Sequence, residues 1–121
     1  MGATMATTVL IVDDHAGFRA TARLLLESEG YEVVGEAKDG ASAIECARAL
    51  APELILLDVQ LPDVDGFDVA ARLTANGDAA DIVLVSSRDS SDFGPLVVRS
   101  GARGFIPKGE LSGSSLAAVL S

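Results

Sequence analysis

The sequence is poor in cysteine and in basic residues, and each shortage excludes a class of protein. Cys46 is the only cysteine, so no disulfide can form within the chain and a disulfide-stabilised secreted scaffold is excluded. Eighteen acidic residues outnumber nine basic ones, which gives a formal net charge of -9. Because such a surface repels phosphate backbones and anionic lipids, we expect this domain to bind neither nucleic acid nor a membrane directly.

Long apolar runs are also missing from the chain. Every uninterrupted apolar segment is far shorter than the about 20 residues that cross a bilayer. The N-terminal segment MGATMATTVLIVDD lacks the basic region and long apolar stretch of a signal peptide, so we expect a cytoplasmic protein. Hydrophobic residues still make up 49% of the 121 residues, enough for the core of one domain. Residues 1–7 are expected to form a flexible N-terminus.

The hydrophobic pattern alternates between two periods. Five short runs have the composition of buried strands, namely residues 9–12, 31–37, 54–57, 82–85 and 104–106. Apolar residues with helical spacing lie between and after them, at residues 17–29, 44–50, 67–73, 93–97 and 116–120. Gly30 and Pro52 are expected to end the first two helices. Gly94 and Pro95 interrupt the fourth helical segment, which we therefore expect to be short or to start late. The last helix is also expected to be short.

This alternation predicts an α/β fold, a parallel sheet with helices on both faces. Right-handed crossovers then bring the carboxyl ends of all strands to one edge, where open α/β sheets bind their ligands. Polar residues follow four of the five strands at that edge, namely Asp13 and Asp14, Asp58, Ser86, and Lys108. Taken singly, each is better explained as a helix cap, a turn residue or a solvated lysine.

Taken together, these residues suit phosphoryl transfer. If the first and third strands are neighbours, three carboxylates converge, and a hard divalent cation such as Mg²⁺ relieves their repulsion. The cation, a lysine and a hydroxyl group are what the oxygens of a transferring phosphoryl group require. A carboxylate can hold that group as an acyl phosphate, so Asp58 is the candidate nucleophile.

The motifs at these strand ends resemble the receiver domain of bacterial two-component response regulators. The matching segments are IVDDH at residues 11–15, LLDVQLPDVDG at 56–66, IVLVSSR at 82–88 and GARGFIPK at 101–108. The resemblance covers essentially the whole chain and implies one receiver domain over residues 1–121. It also implies a (βα)5 flavodoxin-like, CheY-like fold with a five-stranded parallel sheet of order 2-1-3-4-5. The segment VVGEAKDG at residues 33–40 is most similar to receivers that precede a helix-turn-helix output domain.

The resemblance implies a cation site and a phosphorylation site that share one residue. Asp58 matches the phosphoacceptor and also a Mg²⁺ ligand. Asp14 matches a direct ligand of Mg²⁺, Asp13 matches its partner, and the backbone carbonyl of Gln60 matches the third protein ligand.

Three further residues match the groups that respond to phosphorylation. Ser86 and Lys108 match the residues that contact the phosphoryl oxygens. Phe105 matches a switch aromatic that turns inward when Ser86 moves; aromatic residues usually pack in the core, but the matching position and neighbours favour the switch. His15, the only histidine, is expected to be a loop residue that could tune hydrolysis of the acyl phosphate.

The implied function is that of a signalling switch rather than an enzyme with a separate substrate. In such a family a phosphohistidine on a sensor histidine kinase donates to the residue matched by Asp58, with Mg²⁺, and the domain later hydrolyses its own acyl phosphate. Phosphorylation changes the surface formed by the fourth helix, fifth strand and fifth helix, through which many relatives form homodimers. If the chain is a fragment, a C-terminal DNA-binding output domain is expected as well.

Three other functions stay open beside this one. A pseudo-receiver would be a protein-interaction module that is never phosphorylated, and the intact set of acids, serine and lysine argues against it. A flavin-binding domain of the same topology needs a phosphate loop rich in glycine, serine or threonine, whereas the first loop here is acidic. An aspartate-nucleophile phosphatase usually has a second acid two residues after the nucleophile, where this chain has Gln60.

Overall fold

The computed structural model describes residues 7–75, 77, 80–87 and 93–121, and strands and helices alternate along them as predicted. The elements in chain order are β1 Thr8–Val12, α1 Ala16–Ser28, β2 Glu32–Ala37, α2 Gly40–Leu50, β3 Leu54–Asp58, α3 Gly66–Ala75, β4 Asp81–Ser86, α4 Gly94–Ser100, β5 Gly104–Pro107, a 3-10 turn Lys108–Glu110 and α5 Gly113–Leu120. None of the helices described is both long and apolar enough to span a membrane.

The predicted flexible N-terminus, residues 1–7, lies outside the described residues except for Thr7. The carbonyl of Thr7 accepts a hydrogen bond from the Glu32 backbone N–H at 2.9 Å, next to the first residue pair of β1 and β2.

All five strands form one parallel sheet in the order β2-β1-β3-β4-β5, which confirms the predicted order 2-1-3-4-5. The first and third strands are neighbours, with Val12 opposite Leu57. Because both strands run in the same direction, Asp13 and Asp58 emerge side by side at the carboxyl edge. Each of the four polar positions predicted from the sequence therefore comes to this edge.

The two faces of the sheet bury separate hydrophobic clusters. On one face, alternate residues of β1 and β3 such as Leu10 and Ile55 pack against α2 and α3. On the other face, the intervening residues such as Ile11 and Leu56 pack against α1 and α5. Both faces of the central strands are therefore covered, which explains why they are continuous apolar runs. Burying each such side chain stabilises the fold by about 1.5–3 kcal/mol, so β3 is a rigid support for Asp58.

The two shortest helices match the expectations from the sequence. The helix α4 has seven residues, begins at Gly94, and carries Pro95 in its first turn. The helix α5 has eight residues and begins after a capping box in which Ser112 and Ser115 bond each other's backbone N–H groups.

Candidate functional site

Asp58 is the last residue of β3 and its carboxylate is fixed at both oxygens. The residue is only 2% exposed, and β3 places it between β1 and β4, opposite Val85. Its Oδ1 accepts a hydrogen bond from the Gln60 backbone N–H at 3.0 Å, and its Oδ2 accepts one from Lys108 Nζ at 3.3 Å. The predicted nucleophile is therefore a buried carboxylate in one orientation.

The loop after β3 folds tightly back on the strand end. The Gly66 backbone N–H donates to the Val59 carbonyl at 2.9 Å, and Gln60 pairs with Asp65 in an isolated antiparallel bridge. A Cβ at position 66 would overlap the Asp58 carbonyl oxygen and would lie 2.6 Å from the Val59 Cα. Only glycine allows this approach, so Gly66 is required to hold the loop beside Asp58.

Asp63 ties the same loop to the start of α2. Its two carboxylate oxygens accept hydrogen bonds from the backbone N–H groups of Gly40 at 2.8 Å and Ala41 at 3.1 Å. The bond from Gly40 is the main reason that the pKa of Asp63 lies below its usual value. Asp39, the N-cap of α2, bonds the Ser42 backbone N–H at 2.8 Å. The first turn of α2 thus anchors the loop, a role that the sequence pattern did not predict for Asp63.

Asp13 is fully buried, whereas Asp14 beside it is exposed to solvent. Asp13 Oδ1 accepts a hydrogen bond from the His15 backbone N–H at 2.8 Å, and Asp13 Oδ2 lies 2.6 Å from Lys108 Nζ. This oxygen and the Lys108 ammonium form a buried ion pair.

Lys108 follows β5 directly and bridges the two buried acids. Its Nζ contacts Asp13 and Asp58 and lies 4.5 Å from the centre of the Phe18 ring, a cation–π contact. Burial by itself lowers the pKa of Lys108, but the contact with Asp13 and the charges of both acids raise it above its usual value. The lysine is therefore a stable cation, and the face of the Phe18 ring packs against its ammonium group.

One positive charge does not fully compensate the buried acids. Burial, and then the charge of Asp13, raise the pKa of Asp58 above its usual value, although the Gln60 N–H and Lys108 favour the ionised form. A second cation at the site would remove this excess of negative charge.

The acids and a histidine form a group that fits such a cation. Asp13, Asp14, His15 and Asp58 each offer one ligand atom, and these atoms all lie within 4.8 Å of one another. Carboxylate oxygens are the ligands that Mg²⁺ prefers, so the residues present fit this cation.

His15 lies in the loop before α1, as expected, but it also belongs to the acidic group. Its side chain is 70% exposed, and its Nδ1 lies 3.1 Å from an oxygen of Asp13 and 3.1 Å from an oxygen of Asp14. The sequence placed His15 beside the acids without indicating that its ring turns toward both of them.

Ser86 and Phe105 lie on neighbouring strands next to this group. Ser86 ends β4, is fully buried, and pairs with Pro107. Phe105 lies in β5 and is half-buried, with its ring centre 5.5 Å from that of Phe93, directly before α4. Phe93 in turn packs on Phe67 of α3 at 5.4 Å. The rings form a row from α3 to β5, which the sequence could not predict because each comes from a different element.

Arg19 and Glu36 are not among the predicted site residues, yet they reach the site. Arg19 Nη1 donates to the backbone carbonyl of Asp13 at 2.6 Å, and Arg19 Nε donates to Glu36 at 3.0 Å. The only trace of this arrangement in the sequence is the spacing of Arg19 and Arg23, four residues apart on α1.

Sequence comparison finds similarity to response regulators. The sequence profile of the response regulator receiver domain matches residues 9–120. The chain is 39% identical over 106 residues to the virulence transcription regulator BvgA of Bordetella pertussis, covering 88% of this chain and 51% of that protein. It is 41% identical over 101 residues to the nitrate/nitrite response regulator protein NarP of Escherichia coli, covering 83% and 47%. The chain thus spans about half the length of the curated relatives that it matches.

Comparison of structures agrees with the sequence result. The signal receiver domain of the response regulator NarL from Mycobacterium tuberculosis is 33% identical and superposes with a TM-score of 0.83, covering 96% of this chain and 98% of that one. A two-component response regulator of the LuxR family from Aurantimonas sp. SI85-9A1 is 28% identical with a TM-score of 0.84, covering 94% and 81%.

Proposed function

The chain belongs to the response regulator receiver domain family, and from that premise we propose that Asp58 accepts a phosphoryl group from a phosphohistidine of a sensor histidine kinase. The observation that carries this proposal is the buried Asp58 carboxylate, which Lys108 contacts and which shares a group of ligand atoms with Asp13 and Asp14. Membership of the family removes the flavin-binding and phosphatase alternatives.

Asp58 is the nucleophile of the proposed transfer. One of its carboxylate oxygens attacks the phosphorus, so a P–O bond forms while the P–N bond to the donor histidine breaks and the imidazole leaves with the bonding electrons. The β3 backbone and the Gln60 N–H hold the carboxylate in place, which lowers the entropic cost of reaching the reactive arrangement.

The cation of the proposed site is Mg²⁺. Asp13, Asp14 and Asp58 would hold it, together with the backbone carbonyl of Gln60 that the resemblance assigns as a ligand. When bound, Mg²⁺ neutralises negative charge on the acids and on the phosphoryl oxygens. The close grouping of the three carboxylates, whose ligand atoms lie within 4.8 Å of one another, supports this assignment.

Lys108 and Ser86 respond to the new charge in this proposal. Lys108 Nζ already lies 3.3 Å from Asp58 Oδ2, so it can pair with a phosphoryl oxygen without crossing the site. Ser86 ends the neighbouring strand β4 and supplies a hydroxyl donor. The phosphoryl group adds about -1.5 to -2 of charge, which these two groups stabilise.

The switch then passes from Ser86 to Phe105. When Ser86 moves toward the phosphoryl group, Phe105 turns inward and the surface formed by α4, β5 and α5 changes. Packing of Phe105 on Phe93, directly before α4, supports this route because a moved Phe105 ring alters the start of that helix.

The proposed partners follow from the relatives and from charge. Since relatives of about twice this length are named transcription regulators, we propose that the full protein carries a C-terminal DNA-binding domain and dimerises through α4, β5 and α5. The domain described here is cytoplasmic and acidic, contacts a sensor histidine kinase, and does not itself bind nucleic acid. It also hydrolyses its own acyl phosphate.

Intact-protein mass spectrometry after incubation with acetyl phosphate and Mg²⁺ tests the proposed function. We expect one added phosphoryl group, which is lost in the near-isosteric variant Asp58→Asn and in a sample with chelator. No addition, combined with an NMR spectrum that beryllofluoride leaves unchanged, would favour the pseudo-receiver.

A further inference from the structure

The end of β2 holds the main chain of Asp13 from both sides. On one side the Asp13 backbone N–H donates to the Ala37 carbonyl at 3.0 Å. On the other side the Asp13 carbonyl accepts a bond from Arg19 Nη1 at 2.6 Å, and Glu36 anchors that guanidinium through Nε at 3.0 Å. Two consecutive residues of β2 therefore fix the main chain of Asp13, Ala37 directly and Glu36 through Arg19. Asp13 is the first residue of the Asp13–Asp14 turn.

We propose that Arg19, anchored by Glu36, is a positioning residue that sets the Asp13–Asp14 turn for divalent-cation binding. The inference rests on the proposed cation site. The direction of the main chain at Asp13 determines where both acid side chains point, and Asp13 is fully buried and has little freedom to adjust. Partners that orient metal ligands in this way typically change metal affinity by about 10–100-fold when removed.

Arginine suits this role because its guanidinium donates in two directions at once. Nη1 reaches the Asp13 carbonyl while Nε reaches a Glu36 oxygen, and both contacts use the rigid fork of one side chain. A lysine has a single ammonium at the end of a flexible chain and cannot span the two acceptors in the same way.

Arg23 offers a matched control on the same helix. Its Nε donates to the other oxygen of Glu36 at 2.8 Å, and its Nη1 contacts Glu27 at 3.5 Å. Replacing Arg23 thus removes an arginine contact with the same carboxylate and one unit of charge from α1, while the bond from Arg19 to the Asp13 carbonyl stays.

Whether Mg²⁺ affinity falls or rises when Arg19 is replaced distinguishes a positioning role from a purely electrostatic one. Arg19 is a cation close to the acidic group, so its removal would strengthen Mg²⁺ binding if charge alone mattered. If Arg19 positions the turn, its removal weakens Mg²⁺ binding instead.

An NMR titration with Mg²⁺ at fixed ionic strength tests the inference on the wild-type chain, Arg19→Gln and Arg23→Gln. Circular dichroism first confirms that each is folded at the temperature used. We expect the Kd for Mg²⁺ to rise about 10-fold in Arg19→Gln and to stay within about twofold in Arg23→Gln, since an exposed ion pair contributes little. If Arg19→Gln does not fold, Arg19→Lys replaces it, and its Kd is also expected to rise.

Two results would overturn the inference. One is Mg²⁺ binding to the Arg19 variant that is as tight as, or tighter than, binding to the wild type. The other is equal weakening in the Arg19 and Arg23 variants. A wild-type chain that does not bind Mg²⁺ would instead remove the proposed cation site itself.

Discussion

Asp58 is buried and lies close to other acids, and the positive charge of Lys108 offsets part of their repulsion. The lysine contacts Asp13 and Asp58 together, and its own pKa is raised by those contacts despite its burial. Without the lysine, neither buried carboxylate would be in contact with a lysine or arginine side chain among the described residues. Residue by residue, the site is therefore built with an excess of negative charge that a second cation can relieve.

Lys108→Met should destabilise the metal-free protein and make it more dependent on Mg²⁺. The change keeps the length of the side chain but removes the charge that compensates the buried acids, so a bound cation gains importance. Thermal denaturation with and without Mg²⁺ measures this, and we expect a larger increase in Tm on adding Mg²⁺ than in the wild type. The exposed Lys38→Met is the matched control. The same Mg²⁺ effect on Tm in both variants would contradict the role given to Lys108.

The sequence predicts the residues of the site that directly follow strands, and it misses those that act across elements. Asp13, Asp58, Ser86 and Lys108 could be predicted because right-handed crossovers between parallel strands bring all carboxyl ends to one edge. Arg19, Glu36 and Asp63 could not, since each acts by a side chain that reaches the backbone or a charge on another element. Such contacts depend on helix orientation and loop path, which hydrophobic periodicity does not encode.

At the scale of the elements, the loop between β3 and α3 is tightly constrained, because at Gly66 it folds back on the strand that carries Asp58. Gly66→Ala should move this loop, since a Cβ there meets the Asp58 carbonyl and the Val59 Cα. We expect a loss of about 1–3 kcal/mol in the free energy of unfolding, together with weaker labelling by acetyl phosphate. Urea denaturation and intact mass measure the two effects.

A second glycine provides the control for this prediction. Gly17 lies in α1, and a Cβ there would meet no atom within 4 Å. Gly17→Ala should leave labelling unchanged and stabilise the protein by about 0.5–1 kcal/mol, because alanine favours the helix. Equal labelling of both variants would show that the close approach at Gly66 is not needed.

The end of α2 differs from what the sequence suggests. Pro52 does end the helix, but Ala51 before it adopts the left-handed conformation, with φ of 46°, where glycine is usual. A following proline disfavours the right-handed helical conformation at Ala51, while the Ala51 N–H still makes the last helical bond, to the Ala47 carbonyl at 2.9 Å.

Ala51→Gly should therefore stabilise the protein by about 1 kcal/mol, since it removes the strain on the Cβ. Ala49→Gly, at an exposed position inside the same helix, should destabilise it by about 0.5–1 kcal/mol. Urea denaturation of the two variants checks the opposite signs. A loss of stability in both would mean that the left-handed conformation at Ala51 carries no strain.

At the scale of the whole molecule, the five-stranded sheet builds both hydrophobic clusters on its faces and brings the site residues together at its carboxyl edge. Its strand order could be expected from the alternation of strands and helices and from the resemblance, and the structure confirms it. Both faces of the sheet are covered by helices, so the carboxyl edge is where polar groups from four strands come together. The row of Phe67, Phe93 and Phe105 links α3 and β5 to the residue before α4, and it is the route that we propose for carrying a change at Asp58 to the surface formed by α4, β5 and α5.

Trapping of the acyl phosphate with borohydride tests the central claim most directly. Borohydride reduces an aspartyl phosphate to homoserine, and peptide mass mapping then identifies the residue that carried the phosphoryl group. After incubation with acetyl phosphate and Mg²⁺, we predict homoserine at position 58 and at no other acidic residue, and none when Mg²⁺ is removed by chelator. Homoserine at Asp13 or Asp14, or a phosphorylated protein with aspartate intact at position 58, would contradict the account.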